Sequence, residues 1–391
     1  MTRKNIFFII LGISLIFLVT PFFVQAQEVT SRNVVRRDTF SELSKSAHIA
    51  FMGGSITEMD GYRPMVCEML RERFPETEFT FTAAGIASTC STTGAFRLER
   101  DVLSQGPVDM FFVEFAVNDD QDAHHSREAA IRGMEGIVRH VLRHNPRAKI
   151  VMTFFANEHL MEEYRRGAEA VSIAAHREVA ERYGISTVNV AREAQQQIDE
   201  KTLTWERFGG VHPAPYGNRL TANMIAYLLD DSAELSESVA ESENPLEPFC
   251  YENGRFLSPE TAEFSGAWTW SVPDWTSLPG AFRSNFAGLK LLCCQTPEEE
   301  MMLEFTGSAI GAYILAGPDA GIVEYRVDDL PAQQATLFHD FSSGLHYPRT
   351  VIFHDDLPPG MHILRMKLIE TVPPGSKGTA ARILEFTVNP E

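Results

Sequence analysis

From residue 46 to about residue 231 the chain alternates short apolar runs with longer stretches of helical spacing. The runs cover 48–52, 78–82, 108–115, 149–155 and 185–190; rich in β-branched and aromatic residues, they read as strands. Between them, 62–74 carries apolar residues at helical spacing and stops before Pro75. A second amphipathic stretch covers 94–104. A third, 126–144, opens on a serine cap and stops before Pro146; 159–183 reads as one further helix, and 215–229 closes the series. Five short strands separated by helices predict a parallel sheet covered on both faces. Ligands of such sheets bind beyond the carboxyl ends of the strands.

The pattern then changes twice. Residues 232–247 are acidic and serine-rich with few large apolar side chains, the composition of a linker. Beyond Pro248, apolar or aromatic runs at 301–305, 309–315, 323–327, 350–353 and 362–368 are separated by Gly, Pro and Asp turns, which predicts a small all-β sandwich. At 391 residues two domains are expected. The N-terminus reads as a secretory signal. Arg3 and Lys4 precede an apolar core at 6–20, and Val24-Gln25-Ala26 offers a cleavage site. Pro21 and that site favour cleavage over an uncleaved anchor, so no stable membrane span is expected afterwards. The expected division is a signal peptide over 1–26, an α/β domain over 27–231, a linker over 232–247 and a β-sandwich over 248–391. The product would be exported, to the periplasm, the cell surface or the medium.

Charge narrows the partners. A formal net charge of -19 disfavours nucleic acid and anionic membrane surfaces, both of which would repel the chain. Five cysteines do not make a disulfide framework in a chain of this length. One bridge in each domain (Cys67 and Cys90; two of Cys250, Cys293 and Cys294) and buried free thiols are both open readings. Twelve histidines prompt a search for metal ligands. His140 and His144 share a helix face but lack the glutamate of a zinc-protease motif, and His124-His125 lies in a polar loop without supporting carboxylates. No metal and no cofactor is expected. The absence of a Gly-x-x-x-x-Gly-Lys loop removes support for nucleotide hydrolysis.

The chemistry-bearing residues fall at strand ends. Gly53-Gly54-Ser55-Ile56-Thr57 directly follows the run Ile49-Ala50-Phe51-Met52. Ala84-Gly85-Ile86, the segment from Val113 to Asp119 containing Asn118, and Gly210-Val211-His212-Pro213 follow in order. Ser, Gly, Asn and His in that order, over residues 46–231, resemble the four blocks of the SGNH (GDSL-type) hydrolase family in its Gly-Gly-Ser-Ile-Thr variant. The resemblance implies a flavodoxin-like three-layer α/β/α domain with a five-stranded parallel sheet. It also implies ester hydrolysis, with Ser55 as nucleophile, His212 as base, and Gly85 and Asn118 as oxyanion donors beside the N–H of Ser55. Arg63, Ser88, Thr89 and Arg97 flank these blocks and are candidate substrate-binding residues.

At one place the chain departs from the family. The Asp expected three residues before the histidine is Gly209. Three substitutes are open: Glu206 folding back, an acid from elsewhere such as Asp119 or Asp120, or a backbone carbonyl supporting a Ser–His dyad, which is preferred. An Asp at that position fixes the imidazole tautomer and stabilises the imidazolium. The segments 323–329 and 360–366 resemble jelly-roll accessory domains found beside carbohydrate-active enzymes. The combined expectation is an exported serine esterase that takes O-acetyl or other short acyl groups from a carbohydrate. Two alternatives are carried: a lipid or thioester acyl hydrolase of the same family, and a glycan-binding protein whose hydrolase domain is impaired.

Overall fold

The computed structural model describes residues 33–230, 234–236 and 244–391. The signal segment 1–26 and most of the 232–247 linker lie outside the described residues.

The first sheet has strands β1 (Val34–Val35), β2 (Ser46–Gly53), β3 (Glu78–Gly85), β4 (Met110–Glu114), β5 (Lys149–Phe154) and β6 (Ser186–Asn189), in the spatial order β1-β6-β5-β4-β2-β3. The last five are parallel, as the five apolar runs predict. The short β1 pairs antiparallel with β6 and adds a sixth, edge strand that the hydrophobic pattern does not announce. Two residues are too few for a readable period. The central strands bury nearly every side chain: β4 is buried throughout and β2 at every position after Ser46. Leaving β1 aside, the order is that of a flavodoxin-like doubly wound sheet, whose winding reverses between β2 and β4.

Ten helices are described, and their ends follow local chemistry. They are α1 (Ser55–Glu58), α2 (Tyr62–Arg73), α3 (Ser91–Asp101), α4 (Ala116–Gln121), α5 (Arg127–His144), α6 (Glu158–Arg165), α7 (Val171–Arg182), α8 (Val190–Asp199), α9 (Trp205–Phe208) and α10 (Pro215–Leu229). Ser126 caps α5 by accepting from the Ala129 N–H at 3.2 Å. Pro215 opens α10 as its first residue, where a missing N–H costs nothing. The single helix expected over 159–183 is two, α6 and α7, because Gly167 takes φ +75° just past the end of α6.

Beyond Tyr251 the chain forms two antiparallel sheets, packed as a sandwich. Its strands are β7 (Arg255–Leu257), β8 (Glu263–Phe264), β9 (Thr269–Ser271), β10 (Leu291–Cys294), β11 (Glu300–Thr306), β12 (Ile310–Ala316), β13 (Ile322–Val327), β14 (Gln333–Thr336), β15 (Tyr347–His354), β16 (Met361–Leu368) and β17 (Ala381–Val388). One sheet runs β15-β12-β17-β10-β9, with β7 also on β17; the other runs β14-β13-β16-β11-β8. Alternation in β16 and β13 buries Leu364, Met366, Leu368, Val323 and Val327 between the sheets.

The two domains share a packed seam. Tyr251 is buried against Phe96 of α3, ring centroids 4.7 Å apart, and belongs to the core of the first domain. Thr93 and Thr350 join their hydroxyls at 2.8 Å across the same seam. The backbone N–H groups of Leu246 and Glu247 both donate to the buried carboxylate of Glu135, so the end of the linker is docked on α5. All five cysteines are free thiols.

Candidate active site

The ends of β2, β3 and β4 lie level: Gly53 pairs with Gly85 on one side and Glu114 on the other. Each strand then delivers a candidate residue to the same rim. This rim is the point where the winding reverses, the place at which doubly wound sheets bind ligands.

Ser55 is the first residue of α1, so its N–H has no intrahelical acceptor. Its hydroxyl lies 2.8 Å from Nε2 of His212, 157 positions later in the chain. His212 sits in the loop between α9 and α10. Asn218 of α10 braces that loop, its amide donating to the carbonyl of Pro213 at 2.5 Å.

Asn118 is in α4 and only 5% exposed. Its amide lies against Gly54: a Cβ there would come within 2.1 Å of the Asn118 Oδ1. A Cβ at Gly85 would likewise meet the backbone of Glu58 at 2.1 Å. The glycines therefore let the nucleophile turn and both oxyanion candidates close up. Asn118 gives one Nδ2 proton to the Asp122 carboxylate at 2.9 Å, which orients the amide and leaves the other proton uncommitted by that bond.

A residue not picked out from the sequence holds the nucleophile turn. Glu114 is fully buried at the end of β4 and accepts from the Gly54 N–H at 2.9 Å and the Thr57 hydroxyl at 2.8 Å. Burial raises its pKa from 4.5 to about 7, opposed by these two hydrogen bonds. A glutamate inside an otherwise apolar strand was the available signal.

The third member of a triad is not found where the alternatives put it. Glu206 is exposed and makes no hydrogen bond or ion pair among the described residues. Asp119 is fully buried and accepts from the Ser91 N–H and hydroxyl and from His176. Asp120 is bonded to Asn157 and His159. No backbone carbonyl bonds the His212 ring either: among the described residues its polar partner is Ser55. Gly209 takes φ +114° as the residue closing α9.

The substrate-binding candidates separate. Arg63 stays near the rim, donating to the Thr57 carbonyl at 3.2 Å and to Asp60. Ser88 lines a cavity of about 300 Å³ between the domains and accepts from Arg283 of the β-sandwich at 2.8 Å. Thr89 and Arg97 are corrected: both are fully buried. Thr89 is bonded to the Ile86 carbonyl, and Arg97 spans from the Gly53 carbonyl at 3.0 Å to Asp101 at 3.1 Å. They brace the strand ends from inside.

An open cleft of about 590 Å³ lies beside His212, lined by Asp120, Gln121, Asn157, His159, Trp205 and Val211 among others. At the cavity between the domains, whose lining includes Cys90 and His125, these two residues and Asp119 bring three donor atoms within 4.8 Å of one another. They form a buried ion-pair network with Ser91 and His176. Burial opposes charge on His125, but Asp119 and Cys90 beside it outweigh this and raise its pKa to about 10.

Residues 51–220 match the family model of the GDSL-like lipase/acylhydrolases, and this part of the chain is a domain of that family. The whole chain is also similar to a two-domain esterase active on acetylated mannans, seen in crystals with mannopentaose. That structure shares 22% identity at a TM-score of 0.69, over 88% of this chain and 91% of the other. A second crystal structure of a two-domain esterase active on acetylated mannans gives 21% identity and a TM-score of 0.67, over 88% and 92%. At this identity the likeness establishes a shared two-domain fold. No curated protein matches the sequence.

Proposed function

We propose that this protein is an exported serine esterase that removes acetyl, or other short acyl groups, from a carbohydrate. The observation that carries the reading is the 2.8 Å hydrogen bond between the Ser55 hydroxyl and Nε2 of His212, at a rim where Asn118 and Gly85 adjoin the nucleophile turn. His212 takes the Ser55 proton as the hydroxyl oxygen attacks the acyl carbon. The N–H groups of Ser55 and Gly85 and the amide of Asn118 receive the developing oxyanion. His212 then protonates the departing sugar oxygen, and water releases the acyl group by the same steps. With no carboxylate behind it among the described residues, His212 works as half of a dyad.

The cleft beside His212 supports a sugar rather than a lipid chain. Its carboxylates, amides and imidazole can bond hydroxyl groups, and Trp205 offers the apolar face that pyranose rings stack on. The mannan activity of the fold-sharing esterase points the same way. Export follows from the signal-like N-terminus, and no helix among the described residues is long and apolar enough to cross a membrane.

The test is acetate release from a panel of acetylated polysaccharides, with 4-nitrophenyl acetate and long-chain esters alongside, by the wild type and Ser55→Ala. Polysaccharide deacetylation that disappears with Ser55 is expected. Turnover of long acyl chains alone would make the protein a lipid esterase. No turnover of any ester, with retention on a glycan column, would make it a binding protein.

A further inference from the structure

We infer that the β-sandwich holds the candidate oxyanion hole in shape, with Tyr347 and Arg283 as positioning residues for Asn118 and for the loop after Gly85. This rests on the proposed role of Asn118.

The first link runs through Asp122, which closes α4 one turn beyond Asn118. Its Oδ2 accepts from the Asn118 amide at 2.9 Å, and its Oδ1 accepts from the Tyr347 hydroxyl at 2.5 Å. Both bonds are buried. The Asp122 carbonyl is also bonded by the His339 ring at 2.8 Å, and that ring stacks on Tyr347 at 4.8 Å with 3° between planes. Two side chains of the second domain thus fix both the backbone and the carboxylate of the one acceptor that orients Asn118. A buried carboxylate needs its donors: without the Tyr347 hydroxyl, the Asn118 amide and a longer bond from Gln121 at 3.3 Å remain. Asp122 would then turn toward water, and the Asn118 amide would lose its fixed plane.

The second link grips the other oxyanion loop. Arg283 donates to the Ala87 carbonyl at 2.7 Å and to the Ser88 hydroxyl at 2.8 Å, and Tyr347 also reaches the Ser88 carbonyl at 3.4 Å. Ser88 holds φ +72°, a conformation costly for a serine unless its surroundings enforce it. Of the three groups proposed to receive the oxyanion, the Asn118 amide and the loop that follows Gly85 are therefore steadied from the second domain, and neither Tyr347 nor Arg283 bonds Ser55 or His212. Catalysis by preorganised donors gains only as far as those donors are already fixed.

The experiment compares the full-length wild type, Asn118→Ala, Tyr347→Phe, Arg283→Met and the Asn118→Ala/Tyr347→Phe double variant. Readouts are kcat and KM for 4-nitrophenyl acetate and inhibition by phenylboronic acid, which forms a tetrahedral adduct with an active serine. Tyr347→Phe is expected to lower kcat about tenfold with KM unchanged, and to weaken the boronate by a similar factor. In the Asn118→Ala background it should cost much less, because its main effect passes through that amide and only the long contact to the Ser88 carbonyl remains. Arg283→Met should also lower kcat with the thermal midpoint retained. Unchanged kcat in both Tyr347→Phe and Arg283→Met, or full additivity in the double variant, overturns the inference while leaving the esterase reading intact. A silent Asn118→Ala removes the oxyanion assignment itself.

Discussion

A Cβ placed on Gly209 would lie 1.9 Å from the backbone nitrogen of Ala214. The same glycine takes φ +114°, where L side chains are strained. The position at which related hydrolases carry an aspartate has thus been given over to a tight return of the chain: the Ala214 N–H donates to the Phe208 carbonyl at 2.8 Å, pulling the His212 loop back across α9. Restoring the aspartate here does not restore a triad. Gly209→Asp is expected to destabilise the protein by at least about 2 kcal/mol, from the backbone strain plus the overlap, and to lower activity. Denaturant melts with ester turnover on the same preparation check this. Raised kcat at an unchanged midpoint would show that the loop can re-form around a side chain.

Glu114 sets a pH dependence of stability. Its pKa in the folded protein is about 7 against an ordinary 4.5, so between these values the folded state holds a proton that the unfolded chain has lost. Stability from this group is complete below pH 4.5 and is lost as pH rises through 7, on the order of 3 kcal/mol in all. Glu114→Gln imitates the protonated acid, and its amide oxygen can accept from both Gly54 and Thr57. Thermal midpoints measured from pH 4.5 to 8 should fall with pH more steeply in the wild type than in Glu114→Gln. Parallel curves would mean that Glu114 is not titrating there.

Arg97 separates a bracing role from a substrate contact. It is 0% exposed, bonded to the Gly53 carbonyl two residues before the nucleophile and to Asp101. Arg97→Met should cost about 2 kcal/mol of stability, because it removes two charge-assisted bonds made by a fully buried side chain and leaves the Gly53 carbonyl with the Ile86 N–H at 3.1 Å and the Asp101 carboxylate with Arg100 at 2.7 Å. KM for acetylated oligosaccharides should stay within twofold, measured on the folded fraction. A large rise in KM with no change in the melt would return Arg97 to the substrate pocket.

Much of this architecture is readable along the chain because its causes are local. The run from His48 to Met52 is a strand since every side chain after Ser46 is buried, and Pro215 starts α10 since it gives up no hydrogen bond. The blocks around Ser55, Gly85, Asn118 and His212 stand out by their order, and strand ends that carry them are placed level by the sheet's register. The α6–α7 break, by contrast, was marked by Gly167 and overridden by an apolar period that runs through it. Other features have no local trace. Arg97 looks like a surface residue until α3 is laid against β2. Asp122 and Tyr347 stand 225 positions apart and meet only because the sandwich docks on the first domain. Periodicity, caps and turn residues act over a few positions, so their consequences are written in short windows. Which polar groups are buried together depends on how distant surfaces close against one another. The room at Gly209 is set within one turn, by Pro213 and Ala214, whereas closure of distant surfaces alone decides that Asn118 is held from the far side of the molecule.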